Sequence, residues 1–568
     1  MSQAHGVTMV ELRVLDGPNL YFPRPAIKLT LGVSRWLALP EARVEQLTGR
    51  TAFTPVASGG RPESDQRRRY LARFAVHLTR ALAAATRTDL AIRGRPGPGP
   101  EEVVIAFPWR RQGAAEAFAR ELAPLLRVGL DGRRSMDRAI AEAARRLDDA
   151  QPGAPPTMLS PTIPVIAVTG TNGKTTTVRL IAHLARSAGH TVAYTTTDGV
   201  YRDRELVEAG DYSGFSGAAK ALAQPGVDFA VLETARGGIL LRGIGTDHND
   251  VAVVTNVTED HLDQYGIRTV DQLAEVKSSI TRITRPDGWD VLNADDPRVL
   301  AMRRQATGRP WLFSLDPDHP AIRTTLAEGG RAISVLDRAL VVMSSSRQAH
   351  HLLPLEEVPV ALFGISSPYL RNALAAAAAA LGAGVPEQAV VEGLRSFVPD
   401  PESNPGRANV FELEGRVVVV DYAHNEDGMR GLVEICRGLR PGDARIFLAF
   451  GTAGDRTNVI LHRLAYTAAR GADRLAIAEL HRYLRGRDPQ DLVEQMQAGL
   501  KDGGKLEAPV FPNEVEALEW MVKESAPNDV IAITALAQRP EIFEFLRARG
   551  GAGVGPARIR ELVQRARS

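Results

Sequence analysis

Residues 168–177 read Val-Thr-Gly-Thr-Asn-Gly-Lys-Thr-Thr-Thr, between an apolar run at 165–168 and a helical pattern that begins near Val178. A strand, a glycine-containing loop and a helix in that order make a phosphate cradle. Gly170 and Gly173 leave room for backbone N–H groups, those of Thr171 and Asn172 among them, to face the anion, and the helix adds its positive N-terminal end. Lys174 supplies a point charge, and Thr175, followed by Thr176, offers a hydroxyl to a Mg²⁺ ion carried by the phosphates. ATP binding is therefore the first expectation. The position five residues before Gly173 is Val168 rather than glycine, so the loop is a compact departure from the general phosphate-loop spacing.

Ligands of open α/β sheets collect beyond the carboxyl ends of the strands. Glu233 closes the apolar run 229–232, and Asn256, Glu259 and His261 follow the run 251–254. Carboxylate oxygen and imidazole nitrogen at such positions can hold Mg²⁺ against a triphosphate. Further on, Lys277 falls on a helix patterned by Leu273, Val276 and Ile280. A lysine there is either an exposed helix residue or, where burial lowers its pKa, a neutral amine able to react.

The elements that must position these groups fall into three units. A chain of 568 residues is too long for one core, and proline- and glycine-rich stretches at 93–100 and 151–164 interrupt its first third. Residues 1–155 read as an α+β module, with strands at 12–15 and 27–31 around the turn Asp16-Gly-Pro-Asn19 and a helix marked by Tyr70, Phe74, Leu78 and Leu82. Over 156–402, apolar runs at 165–168, 192–194, 229–232, 251–254 and 291–292 alternate with helices, the pattern of a mostly parallel, doubly wound sheet. Over 403–568 a second series at 417–420, 446–450, 475–478 and 530–533 reads as a Rossmann-like α/β domain. The alanine run 373–380 reads as a close-packed buried helix. The fold class is thus α/β in three domains.

Composition excludes other classes. Lysine plus arginine (69) nearly balance aspartate plus glutamate (67), a net charge of +2 that gives no case for a nucleic-acid or membrane-surface protein. Arg67, Arg68 and Arg69 are expected on a solvated helix face. The single cysteine, Cys436, cannot form an intrachain disulfide, and neither a leader pattern nor a spanning apolar stretch is present, so a cytoplasmic location is expected.

The compact loop Gly170-Thr-Asn-Gly-Lys-Thr-Thr176 resembles that of the Mur ligases, ATP-dependent amide ligases, and several further segments carry the resemblance. His-Leu-Asp-Gln-Tyr-Gly from His261, followed by Ala-Glu-Val-Lys277, is similar to the segment whose lysine takes up CO₂. By that resemblance Lys277 carries a carbamate and, with His261, binds a second Mg²⁺, while Thr175 and Glu233 bind the first. Asn293 in Asn-Ala-Asp-Asp and Asn372 in Asn-Ala-Leu-Ala-Ala match the family's nucleotide-base positions, although the family's His-Asn pair just before is replaced by Pro368-Tyr369. Arg407 in Pro-Gly-Arg reaches the phosphates and Asp421 in Asp-Tyr-Ala-His-Asn the ribose hydroxyls, with His424 nearby. Read without the family, an arginine after Pro-Gly and an aspartate at a strand end are ordinary structural choices.

The cyanophycin-synthetase branch is similar in two blocks: Leu15-Asp-Gly-Pro-Asn-Leu-Tyr21 at the start, and 163 onward through Glu233-Thr-Ala-Arg-Gly-Gly238, Gly454-Asp-Arg456 and Tyr483-Leu-Arg-Gly-Arg487. Between the blocks that branch has an ATP-grasp domain, and here only the linker 151–164 stands. The resemblance implies one ligase unit with an N-terminal acceptor-binding domain, joining an amino-acid amine to a small or peptide carboxylate by an amide or isopeptide bond through an acyl phosphate, without backbone extension. His424, Asp455, Arg456, Arg485 and Arg487 are its substrate-side candidates, the three arginines reading equally well as surface charges. The rivals are a folylpolyglutamate- or poly-γ-glutamate-like ligase, a catalytically silent polymer-binding subunit, and a nucleotidase without ligation. Homo-oligomerisation is left open.

Overall fold

The computed structural model describes residues 6–567, apart from 261, 263 and 346. Near the N-terminus, strands Thr8–Leu15, Ala26–Gly32, Glu102–Pro108 and Arg93–Pro96 form an antiparallel sheet in that spatial order. Helices Asp65–Ala85 and Gln112–Asp131 pack on it, and helix Met136–Asp148 packs on those two. Ser64 caps the first of these by accepting from the Arg67 N–H, and Tyr70, Phe74, Leu78 and Leu82 are buried one turn apart, as their spacing predicts.

Arg67 departs from the expected solvated face: it is 0% exposed. Its guanidinium donates to the carbonyls of Trp36, Leu37, Leu39, Gly59 and Gly60, so it ties the end of the short helix Ser34–Leu37 to the loop at 59–60. The periodicity of the helix is blind to this, because five fixed donors can satisfy a ring of loop carbonyls from within a core. Arg69 is exposed, as expected.

Among the described residues the central sheet has eleven strands. Val165–Thr169 lies between Phe229–Glu233 and Asn249–Val254, parallel to both, and the parallel set continues through Val192–Thr195 on one side and Thr284–Asn293, Arg309–Phe313 and Arg331–Leu336 on the other. Burial on both faces explains why its strands are continuous apolar runs. Antiparallel hairpins extend each edge, Gly199–Arg202 with Glu205–Ala209 and Ala339–Ser344 with Arg347–Pro354. Helix Ser367–Gly382 packs on helix Lys174–Ser187, and Ala373 and Ala375–Ala380 are fully buried, their small side chains allowing a close approach.

Among the described residues the C-terminal sheet has seven strands. Val510–Phe511, Arg474–Ala478, Ile446–Phe450, Val530–Thr534 and Arg416–Asp421 are parallel neighbours in that order, closed by antiparallel Asn409–Leu413 and Ala552–Gly553. Cys436 is buried and its thiol is pushed up to about 12 by desolvation, so it is inert. Among the described residues no helix is long and apolar enough to cross a membrane.

The N-terminal sheet is joined to the central one through the turn singled out in the sequence. Asp16 and Gly17 N–H groups donate to the Arg242 carbonyl at 2.8 and 3.2 Å, Ile244 N–H donates to Pro18 O, and Arg242 pairs with Asp16 at 2.6 Å. Arg67→Met is expected to lower the unfolding free energy by about 3 kcal/mol by stranding buried carbonyls. Urea melts of wild type and variant check this, and an unchanged midpoint contradicts it.

Candidate active site

At the switch point of the central sheet, the chain leaves Val165–Thr169 through the glycine loop and enters helix Lys174–Ser187. Gly170 and Gly173 have φ of +154° and +85°, and a Cβ on them would stand 1.8 Å from Thr255 Oγ1 and 2.3 Å from Asn372 Oδ1. Both positions therefore demand glycine, for the backbone turn and for the neighbours pressed against it. The loop is braced by the end of the next strand. Thr171 N–H donates to Asn256 O at 2.9 Å and Asn172 N–H to Asn256 Oδ1 at 2.9 Å, while Thr255 Oγ1 and Asn256 Nδ2 donate to Asn172 O. Asn256 thus serves the loop rather than a metal.

Around this turn two sheets contribute polar groups to one cleft of about 1830 Å³. Thr175 Oγ1 donates to Glu233 Oε2 at 2.9 Å and accepts from Arg407 Nη2 at 3.2 Å, so a single hydroxyl joins the end of a central strand to the loop that leads into strand Asn409–Leu413 of the C-terminal unit. Glu233 is 2% exposed, and among the described residues nothing bonds its Oε1. Burial pushes its carboxyl upward, against the pull of Lys174 and Arg407. A buried carboxylate oxygen left over beside a hydroxyl fits Mg²⁺, which takes one or two carboxylates and fills its other positions with water and phosphate. Lys174 Nζ donates to Thr171 O at 2.9 Å, and Thr176 Oγ1 accepts from Asn404 Nδ2 at 3.3 Å.

Lys277 ends helix Val270–Lys277, which Thr269 and Gln272 close with a capping box. It is 4% exposed, donates to Gly170 O at 2.6 Å and lines the same cleft, which removes the exposed-helix alternative. Desolvation, with Lys174 adding to it, holds its pKa well below 10.5, against Asp260 and Glu233. His261, expected beside it as a ligand, lies outside the described residues. Glu259 pairs with Arg463 at 2.7 Å outside the cleft lining, so it is not a ligand in this arrangement.

Asn293 is buried and donates to Thr255 O at 2.8 Å while accepting from Asp295 N–H, a brace between strand ends that also touches the cleft. Asn372 lies against Gly173. Asp421 Oδ2 accepts from the Tyr369 hydroxyl at 2.7 Å and from Ala408 N–H at 2.8 Å. Asn172 and Asn425 exchange reciprocal amide hydrogen bonds at 2.9 and 3.0 Å, a second link between the sheets, and Asp198 is a third, pairing with Arg179 at 2.8 Å and with Arg539 at 3.0 Å.

On the far side of the cleft His424 Nε2 stands 3.4 Å from Asp260 Oδ2, Arg456 Nε 3.1 Å from Asp260 Oδ1, and Arg456 Nη1 2.8 Å from Asp455. Gln264 joins Asp455 to Arg236. Arg456 is buried, not a surface charge; Arg485 is exposed at the cleft edge. Arg487 is the departure: it donates to Arg456 O and pairs with Asp491, bracing its own loop outside the cleft lining. Asp260 and Arg236 carry no assignment in the sequence, although Arg236 stands within Glu233–Gly238 and Asp260 lies between Glu259 and His261. Their role depends on a contact between domains that linear spacing does not record.

With this geometry in hand, the class is that of an α/β protein whose main cleft opens at a strand, glycine-loop and helix turn and is lined from two units. Residues 168–380 match the Mur ligase middle domain and residues 406–536 the Mur ligase glutamate ligase domain, together more than half of the chain, which therefore belongs to the Mur ligase family. It is 41% identical over 320 residues to the cyanophycin synthetase of Synechocystis sp. (strain ATCC 27184 / PCC 6803 / Kazusa), a match covering 56% of this chain and 36% of that one. It is 28% identical over 383 residues to the UDP-N-acetylmuramoyl-L-alanyl-D-glutamate--2,6-diaminopimelate ligase of Geobacillus thermodenitrificans (strain NG80-2), covering 65% of this chain and 73% of that one. The chain thus spans little more than a third of that cyanophycin synthetase. The structure of E. coli FolC in complex with ADP shares the fold, with a TM-score of 0.50 and 20% identity over 69% of this chain and 91% of that one.

The lowered pKa of Lys277 has a consequence for stability. Below its ordinary value of 10.5 the unfolded chain holds a proton that the folded chain releases, so stability rises as pH climbs through the alkaline range toward 10.5. In CO₂-free buffer Lys277→Met should flatten that rise in melting temperature, and an unchanged slope contradicts the burial of a neutral amine.

Proposed function

We propose that this protein is an ATP-dependent carboxylate–amine ligase that forms an amide or isopeptide bond through an acyl phosphate. The observation that carries the reading is the Thr175 hydroxyl held between Glu233 of one unit and Arg407 of the other, directly on the phosphate loop. A simple nucleotidase has no need to bring a second sheet to its phosphates; a ligase must shield an acyl phosphate from water while an amine approaches. In this reading the acceptor carboxylate attacks the γ-phosphorus, ADP leaves, and the amine then attacks the acyl carbon and expels phosphate. Lys174 and Arg407 stabilise negative charge on the phosphoryl oxygens as it moves, and the loop amides orient the chain of phosphates.

Thr175 and Glu233 would hold Mg²⁺, with His261 and a Lys277 carbamate as the second set; bound metal neutralises the phosphates and acts as a Lewis acid. The buried amine of Lys277 supports the carbamate, since only the neutral form attacks CO₂. Asp421 takes the ribose hydroxyls, with Asn293 and Asn372 toward the base. His424, Asp455, Arg456 and Arg485 form the side from which the amine enters, Asp455 supplying a carboxylate for a cationic substrate.

The units are taken as 1–155, 156–402 and 403–568, the first an acceptor-binding module. None of its described residues lines the cleft in this arrangement, so acceptor held there would reach the site from outside. Helix Met136–Asp148 and strand Val165–Thr169 leave between them a segment too short for another domain, which supports side-chain ligation without backbone extension. A cytoplasmic location goes with the use of ATP.

Phosphate release should depend on both an acidic acceptor and an amino acid, screened by ADP formation with mass analysis of the product. Lys174→Ala should lower turnover at least 100-fold. Lys277→Ala should be strongly impaired and partly rescued by short-chain carboxylic acids. Amine-independent ATP hydrolysis would favour the nucleotidase, and full activity of Lys174→Ala would refute the site.

A further inference from the structure

Helix Ser367–Gly382 belongs to the central unit, yet its first turn is docked on the C-terminal one. Glu434, on helix Glu426–Leu439, accepts from both the N–H and the hydroxyl of Ser367, at 3.2 and 2.6 Å. Pro368 lies close enough to Gly431 that a Cβ there would stand 2.8 Å from its Cγ. The ring of Tyr369 packs against the apolar cores of both units. Its hydroxyl donates to Asp421 Oδ2 at 2.7 Å, and the Ala408 N–H donates to the same oxygen at 2.8 Å. Two donors on one carboxylate oxygen fix the plane and rotamer of Asp421. Among the described residues none donates to Oδ1, and both Asp421 and Tyr369 line the cleft.

We propose that Tyr369 is a positioning residue for nucleotide recognition: by holding Oδ2 it turns Asp421 Oδ1 toward the cleft, where it accepts from the vicinal hydroxyls of a ribose. This rests on the reading of Asp421 as the ribose group and adds the residue that orients it. The contact crosses between units, so the ribose acceptor is complete only when helix Ser367–Gly382 and the C-terminal sheet are docked. Because Glu434 and Gly431 hold the same turn independently, removal of the Tyr369 hydroxyl frees the carboxylate without undocking the helix. A tyrosine suits this place since burial and the neighbouring carboxylate keep it protonated as a donor.

The test is the affinity of the full chain for ATP and for 2′,3′-dideoxy-ATP, measured by calorimetry. Wild type is expected to prefer ATP by about tenfold, the scale of a hydrogen bond to a charged group. Tyr369→Phe keeps the packed ring and Tyr369→Met fills its space; whichever of them shows a cooperative melt is expected to lose most of that preference. Glu434→Gln loosens the same turn and is expected to keep it, which separates orientation of Asp421 from mere docking. Folded Tyr369 variants that discriminate as wild type does would overturn the proposal while leaving Asp421 in its role. A wild type that does not discriminate would overturn the ribose reading and the proposal with it, and the absence of any ATP binding would overturn the nucleotide site itself.

Discussion

A triphosphate brings several negative charges to one place, and a protein can hold them only with donors fixed before the ligand arrives. Here the constraint falls on the turn between Val165–Thr169 and helix Lys174–Ser187, where two glycines let the backbone bend into conformations that a side chain would forbid. The turn does not stand alone. Thr255 and Asn256, at the end of a neighbouring strand, take up its carbonyl and N–H groups, so the cradle is rigid by virtue of the sheet beside it. Everything else in the cleft is arranged around that fixed point.

The second sheet completes the arrangement. Arg407 reaches Thr175, Asn425 exchanges amides with Asn172, and Arg539 pairs with Asp198, three contacts of different chemistry joining the same two units. Polar contacts of this kind are individually modest and exchange readily with water. Apolar packing crosses between units as well: Leu15, Leu20, Tyr21 and Phe22 share a core with Ile239, Ile244 and Ala252 of the central unit, Leu362 and Phe363 pack into the C-terminal core, and Tyr369 touches the cores of both large units. The lysine cluster adds a different effect. Lys277 is buried against the Gly170 carbonyl, and desolvation, with Lys174 adding to it, lowers its pKa.

Much of this was legible in the chain. The parallel strands of both large sheets are apolar runs because both their faces are covered, and the polar residues that follow them, Glu233 and Asp421 among them, do line the cleft. The edge hairpins, such as Gly199–Arg202 with Glu205–Ala209, escaped notice because the outermost strand is exposed throughout and has no apolar run to mark it. Arg67 and Arg487 were misread for a common reason: an arginine that satisfies backbone carbonyls looks, in sequence, like one that faces water or substrate. The network of Arg236, Asp260, Gln264, Asp455 and Arg456 was out of reach because it is made only where two units meet.

A crystal structure of the chain with Mg²⁺ and a non-hydrolysable ATP analogue tests the central claim most directly. The account predicts the β- and γ-phosphates on the backbone amides of residues 170–176 and on Lys174, with Arg407 of the C-terminal unit in contact with the same phosphates. Phosphates bound elsewhere, or bound at the loop with Arg407 turned away and the two sheets apart, would contradict it.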